Sequence, residues 1–412
     1  MARVELPEET KRRIEAIGSV DVLIGVWGTV GRDGFYERAA QVIAELGETA
    51  QKIVFAFPGD TPPEQPPSAP DSTVVCLQYP SPSSGPAGEL WIEAASAQRS
   101  ILEIAALLNA GSCLVLNADL VALHVQSIQM LLYASVEKQC DLVTPIYPVG
   151  KYDGLINSGI LSPLTRALYG RRVRYPLPFE FGVSARLSTR LALSARSGNQ
   201  ADRSLLWPAT VAAIDAAPIG QVYLDVHHHV PTEGLELSVV LAQLVGSAFL
   251  EMEQYAAQWQ RVRASQQTPT WGTPTPPPVS EEPIDAKPMI DSFLLGSKNL
   301  DEVWRLVLPP VTLLELKHLA RQSPEQFRMP DTLWVKIVYD FALAHRLRTI
   351  SRTHLLGALT PLYLGWVASY VREVSNMTHA AAEQRLEQLA RAYEDNKPYL
   401  VSRWRWPDRF NP

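Results

Sequence analysis

Apolar and polar positions fall into two regimes that change near residue 290. In the first, short apolar runs alternate with stretches of helical length. Asp21–Trp27 (DVLIGVW), Lys52–Phe57, Thr73–Gln78, Ser112–Asn117 and Asp141–Tyr147 are too short for helices and apolar enough for a sheet interior. Between them, Phe35, Ala39, Val42, Ile43 and Leu46 repeat at the spacing of one helix face, and Leu90–Asn109 and the stretch ending at Lys138 also read as helices. Pro58–Pro70 and Pro80–Gly88 are proline-rich loops that cannot continue a strand. Ala- and Leu-rich helices follow Ser184, then a strand over Ile219–Val230 and one long amphipathic helix over Leu235–Arg263. Strands alternating with helices imply a largely parallel, doubly wound α/β sheet of the kind that binds nucleotides.

The second regime begins after a Pro/Thr-rich stretch without periodicity, QQTPTWGTPTPPPVSEEPIDAKP (Gln266–Pro288). Its composition predicts a stiff linker or wrapping arm. The expected organisation is an α/β domain over residues 1–265, a linker over 266–290 and a smaller, mostly helical domain over 291–412. Helices are predicted at Leu300–Val307, Thr312–Ala320, Asp331–Ala344, Leu355–Glu373 and Ala380–Glu394, with Pro330 at a start and Pro361 at a break. Trp304, Leu306, Trp334, Ile337, Phe341, Leu362, Trp366 and Tyr370 supply enough apolar surface to cover a sheet and leave a face for a second copy, so a homodimer is expected.

Composition narrows the function classes. The chain has 412 residues, 46% hydrophobic and 19% charged, which describes a globular protein long enough for two cores. A net charge of −6 offers no general polyanion surface, so nucleic acid is not an expected partner. Cys76, Cys113 and Cys140 are odd in number and lack metal spacing, as buried thiols of a reducing compartment do. The charged start, MARVELPEETKRRIEAIG, has no apolar signal core, and polar residues interrupt the later apolar runs. A cytoplasmic protein without membrane insertion is expected.

Candidate chemistry begins where the SCLVLN strand ends. In an open α/β sheet, ligands bind at the carboxyl ends of strands. Asn117 and Asp119 stand there at i and i+2, where two oxygen-bearing side chains can face a hard cation and the phosphates it carries. The same pair can equally serve a turn by bonding local backbone. Three histidines close the later strand, with His227 and His229 on one side and His228 on the other.

The run PLTRALYGRRVR (163–174), the preceding YDG-x-I-N-S and the following acidic-Phe-Gly-x-Ser resemble the glucosyl-3-phosphoglycerate synthase and mannosylglycerate synthase group. These are retaining, metal-dependent sugar-nucleotide glycosyltransferases of the GT-A fold. The likeness runs from about Val20 to Trp259 and resumes at PLYLGWVASYV and KPYLVSRWRW. It implies a GT-A domain, a UDP- or GDP-linked hexose as donor, and a small hydroxy-acid acceptor such as 3-phosphoglycerate or glycerate. It further implies a divalent cation, Mg²⁺ or Mn²⁺, held by Asp119 and His229, and a homodimer.

The resemblance also assigns roles. Val26, Trp27, Gly28, Arg99, Asn117 and Ala118 fall at donor positions, Gly154 and Asn157 at the acceptor's polar head, and Glu180 at the acid facing the reacting sugar. Arg166, Arg171, Arg172 and Arg174 could contact anions, or equally cap the helix ending at Gly170 and meet solvent. Several positions depart from the pattern. Asn117 stands for the first acid of an Asp-x-Asp-like motif, and it can coordinate through its carbonyl or bond a ribose hydroxyl. Trp27-Gly28-Thr29-Val30 stands for Pro-x-Tyr-Asn, with an indole expected to be available for stacking on a base. Ala94–Arg99 keeps only Arg99 where a lysine is usual, Leu155 replaces an arginine or threonine, and Pro178-Phe179 precede Glu180 in place of two glycines. Hexosyl transfer is the leading expectation. A relative that keeps the fold as a binding or assembly module, or a scaffold formed by the C-terminal helices, are the others.

Overall fold

A computed structural model of the chain describes residues 6–28, 52–59, 73–80, 90–118, 125–197, 205–225, 236–277 and 284–407. It divides into two compact units. One comprises Met1–Pro148, Val173–Pro231 and Gln267–Pro276; the other comprises Val149–Arg172, Thr232–Gln266 and Pro277–Pro412. The linear reading assigned 149–172 and 232–265 to the α/β domain, whereas their contacts group them with the C-terminal helices. The predicted helix at 35–46 lies outside the described residues.

The first unit holds an eight-stranded sheet in the order β3-β2-β1-β4-β6-β5-β7-β8. The strands are β1 (Val22–Trp27), β2 (Lys52–Pro58), β3 (Thr73–Tyr79), β4 (Ser112–Asn117), β5 (Leu142–Ile146), β6 (Phe181–Ser184), β7 (Ile219–Tyr223) and β8 (Thr270–Trp271). Neighbours pair in parallel except at β6, which runs antiparallel to both β4 and β5. Every residue of β1 is buried, as a strand covered on both faces requires. The Leu90–Leu107 helix supplies part of that cover through Ala94, Ala97, Ile101, Leu102, Ile104 and Ala105. The doubly wound α/β expectation holds, with β6 as its one reversed strand.

The Pro/Thr-rich stretch is more than a linker. Thr270 and Trp271 pair with Gln221 and Val222 and form the sheet's last strand. Prolines cost nothing at an edge whose outward amides need no partner, and the Trp271 ring covers Gly220, where a side chain would collide with it. The Ile219–Val230 strand is described only to Tyr223, followed by Leu224 and Asp225.

The second unit is helical. Lys287–Asn299, Asp301–Val307, Pro310–Leu319, Asp331–Leu347, Arg352–Val374, His379–Asp395 and Lys397–Arg405 follow one another, joined by Ser162–Tyr169 and Leu237–Gln254 from earlier in the chain. The expected 235–263 helix is two pieces, because Tyr255 leaves helical geometry (φ −107°, ψ 27°) before a short Ala256–Trp259 turn. Pro361 does not break its helix, which runs through it from Arg352 to Val374. A proline leaves carbonyls of the preceding turn without their usual donor; nearby, the Trp304 indole donates to Ala358 O at 3.0 Å. Close packing also holds the proline, for a side chain on Gly296 would meet its ring at 2.6 Å.

Trp304, Trp334, Ile337, Phe341, Leu362, Trp366 and Tyr370 are buried within the single chain, while Leu306 is 49% exposed. The apolar face assigned to a second copy is therefore mostly core. Among the described residues, no helix is long and apolar enough to cross a membrane.

Candidate functional site

The carboxyl ends of β1 and β4 meet in register, with Trp27 opposite Asn117. Gly28 follows at φ +95°, a conformation that side chains disfavour. A Cβ placed there would lie 3.6 Å from Asn117 Nδ2 and 3.8 Å from Ala118 Cβ. Five of the six donor candidates, Val26, Trp27, Gly28, Asn117 and Ala118, are thus one cluster. Arg99 lies within the Leu90–Leu107 helix, and burial pulls its guanidinium below the ordinary value. Tyr79, at the end of β3, donates from its hydroxyl to Val26 O at 2.6 Å and ties that strand end to the cluster.

Trp27 does not offer its indole to a base. It is 1% exposed, its Nε1 donates to Phe179 O at 3.1 Å, and its ring meets Phe179 at 5.2 Å. Phe179 in turn stacks on Trp91 at 4.2 Å. Where glycines would leave room, Phe179 fills the space between two indoles, and Gln98 Nε2 bonds the neighbouring Pro178 O at 3.3 Å. The strand end is consequently filled and largely apolar on this side.

Glu180 precedes β6, and the reversed direction of that strand decides its place. Val115 pairs with Phe181, so the residue before Phe181 falls on the side where β4 ends. Glu180 is 3% exposed and accepts a hydrogen bond from the Tyr147 hydroxyl. Tyr147 follows β5 and meets the Tyr175 ring edge-on at 5.0 Å. Burial first, then the Glu180 charge, hold the Tyr147 phenol well above its ordinary value, so it remains a donor.

The acceptor candidates belong to the helical unit. Gly154 has φ +60° and open space where a Cβ would stand. Its carbonyl accepts from Ser158 N at 3.0 Å, an α-type bond just ahead of the π-helical turn Asn157–Leu161, which leads into the Ser162–Tyr169 helix. Leu155 and Ile160 are buried.

The arginines have different surroundings. Arg166 is buried and pairs with Glu387 at 2.6 and 3.1 Å and with Glu394 at 2.8 Å, so its use as an anion contact is corrected. Arg171 donates to Gln266 Oε1 at 2.8 Å and Arg172 to Ser265 Oγ at 2.9 Å, while their backbones zip against Gln266. Arg174 lies in the sheet unit, its amide bonded to Gln221 Oε1 at 2.7 Å. Gly170 (φ +71°) ends the helix, its own N–H bonding Arg166 O, and the two arginines that follow are held against Ser265 and Gln266.

Of the expected cation ligands, Asp119 and His229 lie outside the described residues, as does the rest of the histidine run. Asn117 is the described member, and one amide oxygen is a weak donor set for a hard cation. Among the described residues, no group of three His, Cys, Asp or Glu side chains could hold a metal ion.

Tyr147, Tyr79 and Trp91 did not stand out in the sequence. Tyr147 had a usable signal, since it follows the strand that Asp141 opens. Trp91 had none, because its role depends on Phe179, 88 positions later.

No family model matches the chain, and no curated protein does. Solved structures similar to it include glucosyl-3-phosphoglycerate synthase from Mycobacterium tuberculosis in complex with Mn²⁺, uridine-diphosphate-glucose and phosphoglyceric acid, at 16% identity, TM-score 0.32, 61% of this chain and 85% of that one. The same enzyme with uridine-diphosphate is 15% identical over 62% and 87% of the two chains, and with Mg²⁺ and uridine-diphosphate 16% identical over 60% and 84%, both at TM-score 0.32. The architecture described above stands on its own strand order and registers rather than on these scores.

Proposed function

We propose that the chain is a glycosyltransferase-like protein that transfers a hexose from a nucleotide sugar, UDP- or GDP-linked, to a small hydroxy acid such as 3-phosphoglycerate or glycerate, with retention. The observation that supports this most is the convergence of Gly28, Asn117, Ala118 and Glu180 at the carboxyl end of one sheet. A glycine at position 28 lets the backbone at the end of β1 approach a diphosphate closely, at the strand ends where an α/β sheet binds ligands. Asp119 and His229 would hold a Mg²⁺ or Mn²⁺ ion, whose chemistry is to neutralise charge on the departing diphosphate. Glu180, which accepts a hydrogen bond from Tyr147, would supply the negative charge that a developing sugar cation needs. Gly154, Asn157, Arg171 and Arg172 would receive the acceptor. The protein would act as a homodimer in the cytoplasm.

A second reading, a binding or assembly module that keeps the fold without turnover, is favoured by the Trp27–Phe179–Trp91 stack. A screen of common nucleotide sugars by thermal shift, followed by turnover assays, separates the two. A raised melting midpoint with turnover that Glu180→Gln abolishes, binding being unchanged, supports the first. A folded protein that neither hydrolyses nor transfers any of them leaves the second. Full activity in Glu180→Gln removes that residue from the reaction.

A further inference from the structure

We infer that Tyr147 is the positioning residue for Glu180, fixing its carboxylate at the end of the sheet by a hydrogen bond. The inference rests on the transfer reading for its purpose, but its physical content can be measured without turnover.

The geometry comes from the sheet. β5 and β6 are antiparallel neighbours, with Leu142 opposite Val183 and Val143 opposite Gly182. Tyr147 therefore leaves β5 on the side from which Glu180 enters β6. Both side chains are buried, at 5% and 3% exposure, and the phenol donates to Glu180 Oε2. A buried carboxylate without donors would take up a proton, because desolvation penalises its charge. A phenol that keeps its proton in this setting can donate it to a carboxylate oxygen, and that donation favours the charged carboxylate. Tyr175, whose ring meets Tyr147 edge-on at 5.0 Å, is a further titratable group whose charge bears on the phenol. The pair is thus a fixed donor and a fixed acceptor, carried by adjacent strands rather than by loops.

This arrangement suits a group that faces developing positive charge. Such a group must be anionic before the substrate arrives and must not reorient during the reaction. Neither requirement is met by a carboxyl in an apolar pocket alone.

The test is a ¹³C-carboxyl NMR titration of the glutamate-labelled full chain, with the Glu180 signal assigned by its loss in Glu180→Gln. Tyr147→Phe keeps the ring against Tyr175 and removes only the donor. Its Glu180 half-protonation should move to a proton concentration at least tenfold lower. Site-specific 3-fluorotyrosine at position 147 keeps the bond with a more acidic phenol and should move it in the opposite direction. An unchanged midpoint in both proteins overturns the inference, as does movement of both in the same direction. If the unmutated protein turns over a nucleotide sugar, the acid limb of kcat should follow the NMR midpoint in Tyr147→Phe while KM for the donor stays unchanged. If it turns over none while the midpoints move as stated, the positioning stands and the transfer reading fails.

Discussion

Gly159→Ala sets two physical effects against each other. Gly159 lies in a helical turn, where alanine is favoured over glycine by about 1 kcal/mol. Packing argues the other way. A Cβ on Gly159 would stand 2.3 and 2.4 Å from two atoms of the Trp366 ring, against an ordinary carbon contact of about 3.5 Å or more. The ring would have to retreat by about 1 Å, yet it is stacked between Trp334 at 5.7 Å and Tyr370 at 5.6 Å. Moving the backbone instead disturbs the Gly159 carbonyl, which accepts from Trp334 Nε1 and Tyr393 Oη, each at 3.0 Å. Overpacking of this kind costs about 1–3 kcal/mol, and each weakened bond up to about 1 more. Sterics win, and the variant should lose roughly 2 kcal/mol, or about 4–8 °C of melting temperature. Scanning calorimetry and urea unfolding measure it. An alanine variant as stable as the parent would refute the packing argument.

Other outcomes follow from the same geometry. Arg166 holds the Glu387 carboxyl below its ordinary value, and it does the same for Glu394 although burial opposes it there. Depressed carboxyls add stability above the ordinary carboxylate range and lose it as pH falls through their folded values. Arg166→Met should therefore cost about 2 kcal/mol at pH 7, discounted because both glutamates reach solvent, and flatten the loss of stability below pH ~4 in acid unfolding curves. Asn117→Asp should tighten Mn²⁺ binding in titration calorimetry by restoring a negative ligand; equal or weaker binding would turn Asn117 away from the ion. The proposed homodimer is a separate matter, since the apolar residues first assigned to its contact are core: if it forms, light scattering at micromolar concentration should give twice the chain mass, and a monomeric mass would remove the second copy.

The sheet was legible because apolar runs such as VLIGVW and SCLVLN declare buried strands whatever surrounds them. Their strand-end residues, Gly28 and Asn117, followed from the rule that ligands favour carboxyl ends. What the sequence hid depends on partners far along the chain. Trp27 reads as a free aromatic until Phe179, 152 positions on, covers it. Arg166 reads as an anion contact until Glu387 and Glu394 claim it. Pro361 reads as a helix break because local rules omit the packing that holds it in line. Thr270 and Trp271 were too few to show a strand's alternation among prolines.

The reversed strand β6 also has a consequence for synthesis. After β5 the chain leaves the sheet unit, contributes 149–172 to the helical unit, and returns through Val173 to lay β6 between β4 and β5. The partners of that excursion are encoded much later: Trp334 and Trp366 for Gly159, Glu387 and Glu394 for Arg166, and Lys397, whose ammonium caps Ala167 and Leu168 at 2.6 and 3.2 Å. Such distant pairings are slow to form and leave apolar surface waiting. A nascent chain halted near residue 265 would carry a buried arginine and a buried glycine turn with nothing to bury them. Residues 1–265 expressed alone should therefore misfold, and the protein cannot be divided at its proline-rich segment.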